Sequence, residues 1–323
     1  MTAARVLIIA EYPFRDLLPR AQMGWLLAEH RRAHPGGPPL LVATRATTTP
    51  PGFQPVALDA DVRALGVAQV VLAGVFLERK RLEAALAMAA GAMACGARLV
   101  LRNFAVEGDA AQRAPPASAA VLDQAESITL RDHRSANVMT LWRVRTALTI
   151  EPYPERHIAA DPTLAALLPE GPILGLAIRA GADMEASWKP RIPALRRLLA
   201  RAAGWPVLPL PIQGPGSAGN DLAASTAFAQ AVLDGPALLL PQLADAEWWR
   251  REVSPARLKG LVAHCALVAT NRDLPACYAV AAGVPVLGIA LGADRRIVSC
   301  LATLANELPE GSDLVHPLPG PVA

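Results

Sequence analysis

Three arginines follow apolar segments that are typical of strands: Arg131, Arg179 and Arg272. A guanidinium group can donate to two oxygens of a carboxylate or phosphate at once, so these side chains are suited to binding an anion. Ligands of open α/β sheets bind at the carboxyl ends of the strands, where three such arginines would converge. The alternative is that each arginine solvates a strand end or pairs with a neighbouring acid. Those acids are Asp132, Asp183 and Asp273.

Residues 267–290 contain the most informative of these strand ends. Their pattern predicts a short strand, a polar crest at residues 270–273, a helix and a second buried strand. Asp273 is predicted to cap the helix, with Pro275 in its first turn. The crest supplies three candidate site residues, which are Asn271 and Arg272 for substrate binding and Asp273 for catalysis.

A second polar segment begins with Arg131 and continues to Ser135. Asp132 is predicted to cap a helix here, and a helix start attracts anions. His133 could act as a general acid or base near neutral pH, whereas a lone histidine in a capped turn is more often a surface residue. His133 is therefore a candidate catalytic residue, and Arg131 and Ser135 are candidate substrate-binding residues.

A glycine-rich loop at residues 213–221 begins with Gln213, a further candidate substrate-binding residue. No lysine follows its glycines, so the loop is not a P-loop. Residues 11–16, after the first predicted strand, lack a Gly-x-Gly-x-x-Gly motif, which argues against an ordinary dinucleotide dehydrogenase. Trp248 and Trp249 could form a stacking surface, although packing at a helix start explains the pair better. The spacing of His, Cys, Asp and Glu predicts no metal site, and we expect no cofactor.

The composition predicts a protein of two domains with an aliphatic core. The chain has 323 residues, of which 53% are hydrophobic, 4% aromatic and 18% charged. Its net charge of +3 is small and its basic residues are scattered, which argues against nucleic acid as a partner. The four cysteines lack metal or redox spacing, so we expect buried free thiols in a reducing compartment. Without a signal-peptide pattern or a membrane-spanning apolar run, a cytoplasmic protein is expected.

Apolar segments alternate with helical patterns along the chain, which predicts parallel sheets with helices packed on them. Three prolines between residues 151 and 162 interrupt the pattern and mark the connection of two domains. We therefore predict an α/β protein with two Rossmann-like domains facing a cleft. The domains cover residues 1–155 and 156–323, the second ending in an irregular tail. The predicted strands span residues 6–10, 40–44, 70–72, 99–101, 127–130, 147–150, 173–178, 207–210, 237–240, 267–269 and 284–289.

The segments that hold these candidates resemble the polysaccharide pyruvyl transferase family over most of the chain. The likeness is carried by Ser127-Ile-Thr-Leu-Arg-Asp-His-Arg-Ser135, by Ile178-Arg179, by Leu208-Pro-Leu-Pro-Ile-Gln213 with Asp221, and by Arg272 with Gly283-Val-Pro285. The fold that the resemblance implies is a pair of Rossmann-like domains, as in glycosyltransferases of the B type. The activity that it implies is transfer of a pyruvyl group from phosphoenolpyruvate to a sugar of a cell-surface glycan.

The resemblance also implies roles for the site residues. The three strand-end arginines would bind the carboxylate and phosphate of the donor. The family has a histidine where this chain has Leu274, and leucine cannot transfer a proton, so His133 or Asp273 would have to act as the acid. The implied partners are phosphoenolpyruvate and a glycan or lipid-linked sugar acceptor, with peripheral membrane contact where a lipid presents the acceptor.

Two alternatives follow from the same features. The resemblance also implies glycine-rich turns after the first and third strands, which this chain lacks at residues 11–16 and 74–76. Leu274 and the lack of these turns favour a catalytically silent relative that binds a glycan, a nucleotide sugar or a partner enzyme. The predicted helix starts of the second domain could hold a diphosphate, which favours a glycosyltransferase that uses a nucleotide sugar.

Overall fold

The computed structural model describes residues 5–10, 16–43, 49, 52–57, 59–115, 117–216, 219–291, 296–309 and 312–316. Contacts divide the chain into two compact units. The first unit comprises Met1–Phe14 and Gln22–Pro154, and the second comprises Arg15–Ala21 and Glu155–Ala323. Each unit is built on a parallel sheet of its own, as the alternating pattern predicts.

The first unit contains a sheet of seven parallel strands. The strands are β1 Arg5–Ala10, β2 Leu40–Ala43, β3 Phe53–Val56, β4 Val67–Phe76, β5 Arg98–Val106, β6 Ser127–Leu130 and β7 Leu148–Ile150. Their order is β3-β2-β1-β4-β5-β6-β7. Leu7, Ile8 and Ile9 of β1 are at most 1% exposed, because β1 lies between β2 and β4 and helices cover both of its faces.

Helices cover the two faces of this sheet unequally. α1 Leu17–Ala33 packs on one face, to which it contributes Met23, Trp25 and Leu26. The opposite face carries the larger core and four helices. These are α2 Arg79–Met93, α3 Gly108–Gln112, α4 Ser118–Leu122 and α5 His133–Leu141. Small side chains of α2 such as Ala85, Ala89 and Ala92 are buried, so an alanine-rich helix packs closely on the sheet.

The second unit contains a sheet of five parallel strands. The strands are β8 Leu174–Ala177, β9 Val207–Pro209, β10 Leu267–Thr270, β11 Val286–Gly288 and β12 Val315–His316. Their order is β12-β11-β10-β8-β9, so the chain adds strands on one side of β8 and then on the other. The reversal of strand order lies between β8 and β10, and ligands of open α/β sheets bind at the carboxyl ends of strands at such a point.

Seven helices accompany this sheet among the described residues. They are α6 Ala182–Trp188, α7 Ile192–Leu198, α8 Asp221–Val232, α9 Ala246–Glu252, α10 Pro255–Ala263, α11 Asp273–Ala281 and α12 Arg296–Ala305. Side-chain caps fix the starts of three of them. Asn220 caps α8, Asp245 caps α9 and Ser254 caps α10, each by accepting from backbone N–H groups of the first turn.

The beginning of α1 belongs to the second unit rather than to the first. The N–H of Leu17 donates to the carbonyl of Ile212 (3.1 Å), just after β9. The guanidinium of Arg20 donates to the carbonyl of Val253 (3.2 Å). Residues 15–21 therefore cluster with the second unit, although a boundary at residue 155 would assign them to the first.

Residues 158–161, which follow the boundary between the two units, are held by hydrogen bonds to α10. Lys259 Nζ donates to the carbonyl of Ile158 (2.8 Å), and Arg257 Nε donates to Asp161 Oδ2 (3.2 Å). The N–H of Asp161 donates to the carbonyl of Ala256 (2.9 Å). Gly260 lies against the same segment, and a Cβ at this position would overlap the carbonyl oxygen of Asp161.

The structure corrects several local predictions. Residues 237–240 do not form a strand; Leu238 makes one isolated bridge to Val207, because Leu240 has a φ of 52° and a 3-10 turn follows it. Asp273 does not cap α11 but is its first residue, since Arg272 occupies the N-cap position. The sequence predicted neither the strands β3 and β12 nor the helices α3 and α6. The sequence also predicts a last helix near residues 293–305; α12 confirms it from residue 296 onward, and positions 293–295 lie outside the described residues.

The thiols differ in accessibility. Cys265, Cys277 and Cys300 are buried, as predicted, whereas Cys95 is exposed, so the expectation of burial is wrong for this residue. Burial raises the pKa of Cys265 to about 12. Burial also raises the pKa of Cys277, and the neighbouring Cys300, 3.9 Å away between the Sγ atoms, adds to this. None of the described helices is long and apolar enough to cross a membrane.

We expect Cys95 to be the thiol that reacts in the folded protein. Titration with Ellman's reagent at pH 8 should modify this one of the four cysteines rapidly, and all four after unfolding in guanidinium. The reason is that Cys265, Cys277 and Cys300 are buried, so the reagent reaches the thiol of Cys95 first. The variant Cys95→Ser should lose the rapid phase. Rapid modification of a second thiol in native protein would contradict the burial.

Candidate functional site

The loops after β8 and β10 meet at the reversal of strand order in the second unit. Asn271 follows β10 directly, and its N–H donates to the carbonyl of Ala177 at the end of β8 (3.1 Å). Its side-chain Oδ1 accepts from the N–H of Arg179 (2.7 Å), while its Nδ2 lies 3.7 Å from the sulfur of Met184. Asn271 is 9% exposed, so its amide fixes the backbone of Arg179 from within the protein.

Arg272, the second crest residue, is paired with a buried carboxylate. The guanidinium of Arg272 donates through Nη2 to Oδ1 of Asp221, at the start of α8. The side chains of these residues are 15% and 1% exposed. Within the described part of the chain, the Nε–H of Arg272 is buried and has no acceptor. The charge of Arg272 is therefore balanced inside the protein.

Asp221 also binds the backbone of two other loops. Its carboxylate accepts from the N–H groups of Ile212 (3.1 Å) and Gln213 (3.0 Å), which follow β9. It further accepts from the N–H of Ala180 (3.3 Å), which follows β8. One carboxylate thus contacts the loops after β8, β9 and β10.

Gln213 extends this network to the beginning of α1. Its Nε2 donates to Oδ2 of Asp16 (3.0 Å), and its Oε1 accepts from Nη2 of Arg272 (3.2 Å). The two partners require opposite ends of the amide, which fixes its orientation. A Cβ at Gly219 would overlap Oε1 of Gln213, so the loop passes closely over the amide.

The side chain of Trp249 packs against the same loop at Gly214. Its side chain is 3% exposed, and a Cβ at Gly214 would overlap its indole ring. The backbone of Gly214 therefore lies against the ring face, an approach that a residue with a side chain could not make. The packing interpretation of the tryptophan pair is confirmed for Trp249.

Arg179 is the more accessible of the two arginines. Its Nη2 lies 3.4 Å from Oδ2 of Asp183, one turn along the chain, and the side chains are 27% and 66% exposed. Such a partly exposed pair contributes little stability. The side chain of Arg179 is thus more exposed than that of Arg272, at 27% against 15%.

The candidates around Arg131 lie in the first unit. Arg131 is 1% exposed, and its guanidinium carbon is 4.4 Å from the ring centre of Tyr153. Asp132 caps α5 as predicted, because its Oδ1 accepts from the N–H of Ser135 (2.7 Å). Ser135 Oγ in turn accepts from the N–H of Val106 (3.4 Å). His133, the first residue of α5, is exposed.

Of the predicted site residues, the structure brings Arg179, Gln213, Asn271 and Arg272 together in the second unit. Asp273 is half-buried in the first turn of α11, next to Leu274, which is 1% exposed. Sequence reasoning assigned no site role to Asp221, Asp16 or Trp249. The available signal for Asp221 was its place at the end of a glycine-rich loop, directly after a residue type that caps helices.

The titratable side chains of the described residues form no cluster of three or more that could hold a metal ion. Arg179, Gln213, Asn271 and Arg272 form what we call the strand-end cluster of the second unit, and its two arginines supply guanidinium donors. Such donors are suited to an anion such as a phosphate.

Comparison with known proteins relates the chain to others by structure. No protein-family model and no curated sequence matches it. The UDP-GlcNAc 2-epimerase of Methanocaldococcus jannaschii matches with a TM-score of 0.57 and 9% identity, over 97% of this chain and 88% of that one. A putative UDP-N-acetylglucosamine 2-epimerase of Listeria monocytogenes matches with a TM-score of 0.52 and 11% identity, over 91% and 81%.

The complex of S. aureus MnaA with UDP matches in the same way, with a TM-score of 0.52 and 10% identity, over 94% of this chain and 88% of that one. At these identities the likeness concerns the fold. The chain has the glycosyltransferase B-like α/β fold with two Rossmann-like units, which confirms the predicted fold class.

Proposed function

We propose that the chain binds a nucleotide sugar, with the phosphates at the strand-end cluster of the second unit, and that it transfers or modifies the sugar. The observation that carries the proposal is the position of Arg179, Asn271 and Arg272 at the reversal of strand order between β8 and β10. The fold is that of the UDP-GlcNAc 2-epimerase of Methanocaldococcus jannaschii and of S. aureus MnaA, whose structure contains UDP.

The chemistry of a nucleotide sugar fits the cluster. When a glycosidic bond to a nucleoside diphosphate breaks, negative charge develops on the departing phosphate, and a fixed cation stabilises that charge. Arg179 is a reachable cation, and its backbone is held by Asn271 (2.7 Å). The N–H groups of Ile212 and Gln213 already donate to Asp221, so we assign the contact with the phosphates to the guanidinium of Arg179.

Pyruvyl transfer from phosphoenolpyruvate is the second candidate, because two strand-end arginines do lie on neighbouring strands. Its donor has a carboxylate and a phosphate, and both need cations. Arg272 is neutralised by Asp221, and Arg131 lies in the first unit, stacked on Tyr153. The position of the family histidine holds Leu274, whose side chain is buried. These features favour the nucleotide sugar.

A thermal-shift comparison separates the two candidates. A ligand present at a hundred times its Kd stabilises the folded state by about 2.7 kcal/mol and raises the Tm. We expect UDP- or GDP-sugars to raise the Tm, and phosphoenolpyruvate at the same concentration to leave it unchanged. A shift with phosphoenolpyruvate alone would contradict our proposal and support pyruvyl transfer. No shift with any of these donors would contradict both and support a relative that binds no donor.

Replacing Arg179 with alanine should weaken binding of the nucleotide sugar that stabilises the protein. Loss of a charge-assisted hydrogen bond costs about 1.5–3 kcal/mol, so Kd should rise by about tenfold or more. Isothermal titration calorimetry gives this ratio directly. The control is Arg197→Ala, which removes an exposed arginine from α7. An unchanged Kd for Arg179→Ala would place the phosphates elsewhere.

A further inference from the structure

We infer that Asp221 is the positioning residue of this site, and that Arg272 serves as its partner rather than as the cation that meets the ligand. The inference rests on the proposed function for the identity of the ligand. The contacts of Asp221 with the loops do not depend on which ligand binds.

The contacts of Asp221 reach every loop that carries a candidate residue of the second unit. The carboxylate accepts from Ala180 N (3.3 Å), Ile212 N (3.1 Å) and Gln213 N (3.0 Å), and from Arg272 Nη2. These donors follow β8, β9 and β10. A carboxylate has acceptor capacity for all of them, and hydrogen bonds with a charged acceptor are stronger than neutral ones.

Asp221 is not needed to cap α8. Asn220 does this, since its Oδ1 accepts from the N–H groups of Leu222 (3.1 Å) and Ala223 (3.3 Å). The side chain of Asp221 instead points away from its own helix to the loops. Its backbone N–H also donates to the carbonyl of Gln213 (3.1 Å), so that Asp221 and Gln213 hold each other by backbone and side chain.

The burial of Asp221 determines the role of Arg272. A carboxylate that is 1% exposed requires a positive partner, and Arg272 supplies it from a side chain that is 15% exposed. Because the negative charge of Asp221 offsets that of the Arg272 guanidinium, the pair attracts an anion only weakly. Arg179, at 27% exposure and opposite an exposed aspartate, meets the ligand instead.

The test compares two substitutions of neighbouring residues in the full-length chain, Asp221→Asn and Asn220→Ala. The asparagine keeps the shape but loses the charge and places an NH₂ group where only donors face it. The alanine removes the helix cap, which costs about 1 kcal/mol of stability, but leaves the loop contacts in place. If Asp221 only stabilised the fold, two variants of equal free energy of unfolding would show the same hydrogen exchange and the same Kd.

Hydrogen exchange followed by mass spectrometry is the readout that needs no ligand. In Asp221→Asn we expect faster exchange in the peptides that cover residues 178–181, 211–216 and 270–273, with both sheets still protected. Asn220→Ala should speed exchange at the start of α8 only. Equal exchange of the three loops in Asp221→Asn and in the native protein would overturn the inference.

Binding of UDP, measured by calorimetry, completes the test. We expect Kd to rise by about tenfold or more in Asp221→Asn and to stay unchanged in Asn220→Ala. Adding Arg272→Met to Asp221→Asn should weaken binding no further, and a second large loss would overturn the assigned role of Arg272. If the native protein binds neither UDP nor UDP-sugars, the proposed function fails, while hydrogen exchange still decides the role of Asp221.

Discussion

Replacing Arg272 with leucine should lower the free energy of unfolding by about 3–5 kcal/mol, because removing one partner of a buried ion pair leaves an uncompensated charge. Asp221 would remain fully buried, with backbone N–H groups but no cation. Urea denaturation followed by circular dichroism measures the change.

The matched control is Arg196→Leu in the same unit. Arg196 also bonds an aspartate, Asp234, at 2.6 Å, but the two side chains are 46% and 74% exposed. A solvent-exposed pair contributes about 0–1 kcal/mol, so the control should be nearly neutral. If both variants lose the same small amount, Asp221 is not held by Arg272 in the way that the structure indicates.

Replacing glycine with alanine should lower the free energy of unfolding at one helical position and raise it at another. At Gly260, in α10, the new Cβ would overlap the carbonyl oxygen of Asp161, and overpacking against backbone costs about 1–3 kcal/mol. At Gly24, in α1, the Cβ would meet nothing within 4 Å. There alanine should stabilise the protein by about 0.5–1 kcal/mol, since glycine is a poor helix former.

Urea denaturation of both variants tests this pair of predictions. A loss of stability at Gly260 also predicts faster proteolysis of the segment at residues 155–162, which α10 holds through Lys259 and Arg257. Stabilisation of Gly260→Ala would mean that α10 does not lie against this segment.

The alternating apolar pattern predicted most of the fold. β6 was predicted at its observed bounds, because a short aliphatic run between helical patterns allows few other structures. The pattern failed where long-range contacts or backbone geometry decide. Residues 237–240 are as apolar as a strand, yet the positive φ of Leu240 and the following Pro241 end the pairing after one bridge.

The site was predicted less completely, and the reason is physical. A strand end followed by arginine is visible locally, so Arg179 and Arg272 could be named. The ion pair of Arg272 could not be predicted in this way, because its partner Asp221 lies 51 residues away in the chain. Local sequence likewise gives no reason for an exposed His133 and a buried Arg131, because burial is set by how the elements pack.

The first turn of α1 has a consequence for how the protein is made. Asp16 leaves the ribosome 197 residues before its partner Gln213, and Leu17 before the carbonyl of Ile212 that it will bind. Contacts over such sequence separations close late, because loop-closure entropy opposes them. A fragment that ends at residue 154 would carry Asp16, Leu17 and Arg20 without the partners that these residues bind in the second unit. During synthesis the beginning of α1 therefore lacks its partners until Ile212 and Gln213 have been made.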